Sequence, residues 1–182
     1  TLSGHNGPVF DLAFSPDANN LVSASGDTTV KVWHVPSGRR VDTRSEPLKE
    51  QYSVAFSPDG SQFVAGGADN RIRVWKLVSR DQLRINPMLH ARFGHEGAIT
   101  RLRYSADGKS LISAALDNSL KVWNMPQLSQ RVVYEDQPDS IEALAIDSVG
   151  GQLVAGRMDG SLGFYPLFGN LWKQEKLIAH EE

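Results

Sequence analysis

Cysteine is absent from the 182 residues, so disulfide staples and thiolate chemistry are excluded. That absence suits a reducing cytoplasm, which is the expectation, and also a periplasm. An excess of either charge is missing too: 19 Lys and Arg face 21 Asp and Glu, for a formal net charge of -2. Such a balance offers no electrostatic footprint for nucleic acid or an anionic membrane, and neither is expected as a partner. No apolar run reaches the roughly 18 residues that span a bilayer, and no leader opens the chain, so a soluble chain is expected. The first residue is Thr1 rather than methionine, which suggests an excerpt or a processed form. Histidines and carboxylates do not cluster at metal-ligand spacing, and no Gly-rich phosphate loop follows a strand. No cofactor, metal or catalytic group is therefore expected.

What the sequence does contain is a fourfold repeat. Trp33, Trp75, Trp123 and Tyr165 fall 42, 48 and 42 positions apart, each six residues after Asp27, Asp69, Asp117 or Asp159. A period of about 40 to 45 residues is that of a propeller blade of four short strands. Alternating apolar positions mark innermost strands beginning at Val9, Gln51, Ile99 and Ile141. Turns such as Ser15-Pro16-Asp17 and Ser57-Pro58-Asp59-Gly60 follow, because proline presets φ and glycine tolerates the exit. Outer strands are placed near Arg40 to Thr43, Ala91 to Phe93, Arg131 to Tyr134 and Lys176 to Ala179. An insertion between Leu77 and Leu89, containing Asn86-Pro87, reads as a longer surface connection.

Gly4-His5, Ser23, Asp27 and Trp33 recur at the same spacing as Gly94-His95, Ser113, Asp117 and Trp123. By these residues the chain resembles the WD-repeat family of β-propellers, although the dipeptide that names the family is absent. The resemblance implies an all-β fold of four consecutive four-stranded antiparallel blades, near 5–45, 46–93, 94–136 and 137–180. Residues 1–4 would be the stub of a preceding outer strand in a ring of seven or eight blades. The missing blades would come from the rest of a longer chain or from a second copy. It also implies that His5, Ser23, Asp27 and Trp33, with His95, Ser113, Asp117 and Trp123, form hydrogen-bonded structural networks. Repeats two and four carry Ala65 and Ala155 at the serine position and lack Gly-His, so histidine and serine are lost together. Paired loss avoids an unsatisfied buried group costing about 1–3 kcal/mol. On this basis His5→Ala should cost more than any substitution at Gln137. A hydrolytic triad of His5, Ser23 and Asp27 is the weaker reading, because the trio ends on tryptophan and occurs twice.

The resemblance further implies a docking face where the innermost strands begin. Phe10, Tyr52, Thr100, Leu116, Glu142, Met158 and Arg157 are its candidate residues, and the partner would be a protein or peptide. Arg103 and Arg157 replace small residues and are expected to line a channel or to meet a carboxylate such as Glu142. The expected function is a non-catalytic scaffold within a larger regulatory or multidomain protein. The alternative is a propeller enzyme with a polar site at the central channel.

Overall fold

The structure is a computed structural model that describes residues 1–147, 149 and 151–167, with the backbone of 176–178. It contains four antiparallel sheets, each of four strands in sequence order. The first is β1 (Val9–Phe14), β2 (Asn20–Ser25), β3 (Val30–His34) and β4 (Arg39–Arg44). The second is β5 (Gln51–Phe56), β6 (Gln62–Gly67), β7 (Arg71–Lys76) and β8 (Met88–Phe93). The third is β9 (Ile99–Tyr104), β10 (Ser110–Ala115), β11 (Ser119–Asn124) and β12 (Ser129–Tyr134). The fourth is β13 (Ile141–Ile146), β14 (Gln152–Arg157), β15 (Ser161–Pro166) and β16 (Lys176–Ile178). Outer strands thus lie where the repeat places them. Ala179, expected at the end of the last one, lies outside the described residues. Residues 1–4 form no strand; Gly4 lies against the Trp33 ring.

Each sheet buries one face on each neighbour, and the two faces differ in chemistry. Phe63 and Trp75 of the second sheet pack on Val22, Val30 and Val32 of the first. Leu111 and Trp123 of the third pack on Val64, Ile72 and Val74 of the second. Leu153 and Tyr165 of the fourth pack on Ile112, Leu120 and Val122 of the third. A large aromatic side chain supplies area, and β-branched residues give it a stiff surface to rest on. The two outermost faces lack such a neighbour among the described residues. Leu12 and Phe14 stay exposed beside Trp33, where a cavity of about 420 Å³ opens. On the far flank Ala143 and Ala145 are exposed, and Val154, Leu162 and Phe164 are half-buried.

Polar bonds also cross the joints between innermost strands. Asp11 Oδ2 accepts from Ser53 Oγ at 2.8 Å and from the Val54 N–H at 3.0 Å. Ser53 Oγ in turn accepts from the Leu102 N–H at 3.0 Å, and Thr100 Oγ1 donates to the Ile141 carbonyl at 3.1 Å.

The insertion after β7 differs from the plain surface loop its sequence suggests. It runs back to the first sheet, where Asn86 is fully buried. Asn86 Nδ2 and N–H donate to Asp42 Oδ2 at 2.8 and 3.0 Å, while its Oδ1 accepts from the Val78 and Ser79 N–H groups. Ser79 Oγ donates to the Val41 carbonyl at 2.6 Å. Residues spaced for a loop are thus a strap from the second sheet to β4. Asn86→Ala would take one of its donors from Asp42, which keeps the residue-86 N–H, Thr43 and Arg44, and would leave the Val78 and Ser79 amides without their acceptor, so urea unfolding should show a loss of about 2–3 kcal/mol with an unchanged slope.

Candidate functional site

The four innermost strands share a register shift two residues after they begin. Val9 pairs with Ser25 and Asp11 with Ala24, which leaves Phe10 as the extra residue of a bulge. Tyr52, Thr100 and Glu142 are the extra residues at the matching places in the other sheets. A bulge bends its strand and re-aims the side chain it carries. The end of the molecule where these strands enter is therefore built from bulged residues, with the turns before the aspartates beside them.

Phe10 and Tyr52 meet edge to face, with ring centroids 5.3 Å apart and interplanar angle 78°. Phe10 is 49% exposed, and the Glu50 carboxylate accepts from the Tyr52 hydroxyl at 3.4 Å. Burial and then the Glu50 charge push the Tyr52 phenol up, so it is a neutral donor. Leu116 and Met158 are exposed at 55% and 75% on the turns of the third and fourth sheets. Glu142 is exposed too, and Ser140 Oγ sits within reach of both Glu142 and Met158.

Two of the candidate residues do not belong to this surface. Thr100 is only 8% exposed, because its hydroxyl is turned into the joint, bonding the Ala114 and Ile141 carbonyls. Arg157 is 6% exposed, and its partners are not the Glu142 carboxylate the sequence offered. Its guanidinium donates to Gln137 Oε1 at 2.9 Å, to Ser161 Oγ at 3.0 Å and to the Tyr165 hydroxyl. Arg103 finds a carboxylate, but it is Asp11 at 3.9 Å; Arg101 is the cation 3.9 Å from Glu142.

Behind this face each turn aspartate is held by its sheet. In the first, Trp33 Nε1–H donates to Ser23 Oγ at 2.9 Å, Ser23 donates to His5 Nε2 at 2.7 Å, and His5 Nδ1–H donates to Asp27 at 2.8 Å. The third sheet repeats the series through Trp123, Ser113, His95 and Asp117 at 2.8, 2.6 and 3.0 Å. One direction of donation satisfies all these groups, and it requires a neutral imidazole protonated at Nδ1. Burial accordingly lowers the His95 pKa below its ordinary value. Burial opposes ionisation of Asp117, but donation from His95 and Ser119 outweighs it and holds the carboxyl well below the usual range. Asp27 behaves alike, with Thr29, the Asn6 N–H and His5 as donors.

The second and fourth sheets solve the same problem differently. In the second, Pro47 stands at the histidine position, Trp75 Nε1 has no acceptor among the described residues, and Arg73 Nη1 lies 2.7 Å from Asp69 as an ion pair without hydrogen-bond alignment. In the fourth, Gln137 takes the histidine position, 22 residues before Asp159 as His5 is before Asp27. It is buried and accepts from Arg157 and from the Tyr165 hydroxyl. The cation moves from the third strand to the second, and Gly163 makes the room, since a Cβ there would strike the Arg157 guanidinium and the Tyr165 hydroxyl. The 22-residue spacing is the signal that identifies Gln137, a buried network member that the sequence expectation did not assign to that position.

A family model described as "WD domain, G-beta repeat" matches residues 1–34, 45–76 and 87–124, together more than half of the chain. The human WD repeat-containing protein 36 is 46% identical over 41 residues, 22% of this chain and 5% of that protein. Transcription initiation factor TFIID subunit 5 of Caenorhabditis elegans is 49% identical over 37 residues, 20% of this chain and 6% of that protein. An uncharacterized WD repeat-containing protein of Synechocystis is 42% identical over 55 residues, 30% of this chain and 16% of that protein. The chain thus matches only a small part of the length of these curated relatives.

Two outcomes follow from the networks. In thermal melts Gln137→Ala should lower the midpoint about as far as His5→Ala, each leaving buried partners unsatisfied at a cost of roughly 2 kcal/mol. Since the folded pKa values of His95 and Asp117 both lie below their unfolded ones, the unfolded chain binds more protons and acid destabilises the fold. The stabilisation is complete above about pH 6.5 and falls below it, first through the imidazole. Urea midpoints at pH 7.5 and 5 should show that fall, and His95→Gln should reduce it; a flat wild-type profile would refute the neutral imidazole.

Proposed function

Because the chain belongs to the WD-repeat family, with more than half of it matching the repeat model, we propose that it is a non-catalytic scaffold for protein or peptide recognition within a larger regulatory or multidomain protein. Members of the family are generally interaction scaffolds without catalytic chemistry. The relatives named for a transcription initiation factor and, in Brugia malayi, for subunit I of eukaryotic translation initiation factor 3 are components of assemblies by their names. The observation that carries the reading is the Phe10–Tyr52 pair, set at two adjacent bulged entries with Glu50 beside it. Aromatic side chains with a polar rim are the composition of binding hot spots. Leu116 and Met158 extend the same end of the molecule with adaptable apolar surface.

Blades near 5–45, 46–93, 94–136 and 137–180 form the module. Its open Trp33 flank and its open Ala143–Ala145 flank are the two unmatched halves of the joint that recurs inside the chain. Neighbouring blades, from further chain or from a second copy, would cover them. The scaffold reading is tested with peptides selected against the chain from a random display library. Phe10→Ala and Tyr52→Ala should each weaken the selected peptides about tenfold or more, with unfolding midpoints unchanged. Undiminished binding in both variants would remove this face from the reading.

A further inference from the structure

The hairpin turns joining first and second strands lie at the opposite end of the sheets from Phe10 and Tyr52. They stack in order, the Pro16 ring against Gly60 and the Pro58 ring against Gly108. Between successive turns lies a groove, and the first groove is filled by the insertion. Arg80 Nη2 donates there to the Gly60 carbonyl at 3.2 Å, and Nη1 lies 3.7 Å from Asp17 Oδ2. The Arg80 carbonyl accepts from Asn20 Nδ2 at 2.5 Å.

The second groove repeats those receptors without that occupant. Asp59 stands where Asp17 does, each accepting at 2.6 Å from the serine two residues before it. Gly108 stands where Gly60 does, and Gln62 where Asn20 does, five residues after that serine. Here the chain leaves a cavity of about 520 Å³, lined by Pro58, Asp59, Gln62, Tyr104, Met125 and Pro126 among others. Tyr104 replaces the Phe14 and Phe56 of the preceding blades, and its hydroxyl finds no hydrogen-bond partner among the described residues. Donation from Ser57 first, then from the Ser61 N–H, keeps the Asp59 carboxyl ionised. Lys109 at the rim is balanced by Asp107, so Asp59 gives the groove its sign.

We propose that this groove between the second and third blades binds an extended peptide segment of a partner protein through an arginine, as the first groove holds Arg80. The guanidinium would lie between Asp59 and the Gly108 carbonyl, and Gln62 would donate to the arginine's own carbonyl. Tyr104 would supply an acceptor to the segment. This extends the recognition reading to the other end of the molecule, and it is tested without Phe10 or Tyr52, so the two can fail separately.

The probe is the acetylated, amidated hexapeptide of the chain's own sequence 78–83, titrated into the whole chain carrying ¹³C-labelled methionine methyls. The sequence has three methionines, and only Met125 lines this groove. A saturable shift of Met125, with Met88 and Met158 unmoved, is expected. Arg80→Gln within the peptide should weaken that binding about tenfold or more, because a charge-assisted pair is lost. Gln62→Ala in the protein, which leaves the turn's serine and aspartate intact, should weaken it to a smaller degree. A stationary Met125 at millimolar peptide, or equal shifts from the Arg and Gln peptides, would overturn the proposal.

Discussion

The joint between neighbouring sheets is the constraint on which this architecture rests. A sheet of four short strands cannot bury both faces alone, and each of the first three shows a tryptophan-bearing face one way and an aliphatic, mostly β-branched one the other. The asymmetry gives every joint the same polarity, so the sheets add in one direction around an axis. It also leaves Leu12 and Phe14 at one flank and Ala143 and Ala145 at the other as surfaces of matching but unfilled chemistry.

Within that frame the turn aspartate is kept in place by whatever donors its blade can offer. A histidine relay does it in the first and third blades, an arginine ion pair serves the second, and the fourth depends on serine with a glutamine, arginine and tyrosine cluster behind it. Each solution holds its own aspartate, although the second leaves the Trp75 indole N–H without an acceptor among the described residues, and mixing members of different solutions would leave further buried groups without partners. That is why the departures occur in sets: Ala155 accompanies Gln137, Arg157 and Gly163, not a lone substitution.

Periodicity made the blades, their strands and the histidine relays legible, because a spacing repeated four times is independent of tertiary context. Gln137 was legible in principle through the same 22-residue spacing, but its residue type disguised it. Arg157 and Thr100 were misplaced for a physical reason. A long cation beside a turn and a hydroxyl at a strand entry look solvent-facing, yet here each closes hydrogen bonds that only the neighbouring strand or blade presents. The role of the insertion was not legible, since nothing local tells that Asn86 will meet Asp42 from another sheet. The bulges that set Phe10 and Tyr52 side by side belong to strand pairing, which a single strand's sequence does not encode.

The strap from the second sheet to β4 alters how the array holds together as a unit. In a linear array of repeats each member is coupled to the next by one interface, and cooperativity decays along the row. A second, polar tether through Asn86 and Ser79 joins the first pair of blades in addition to their apolar interface. Separating those two blades must break the strap's hydrogen bonds as well as the apolar joint. The later joints are crossed by single side chains, Arg92 onto the Leu128 carbonyl and Tyr134 onto the Pro166 carbonyl, so the insertion gives the first joint a tether of a different kind.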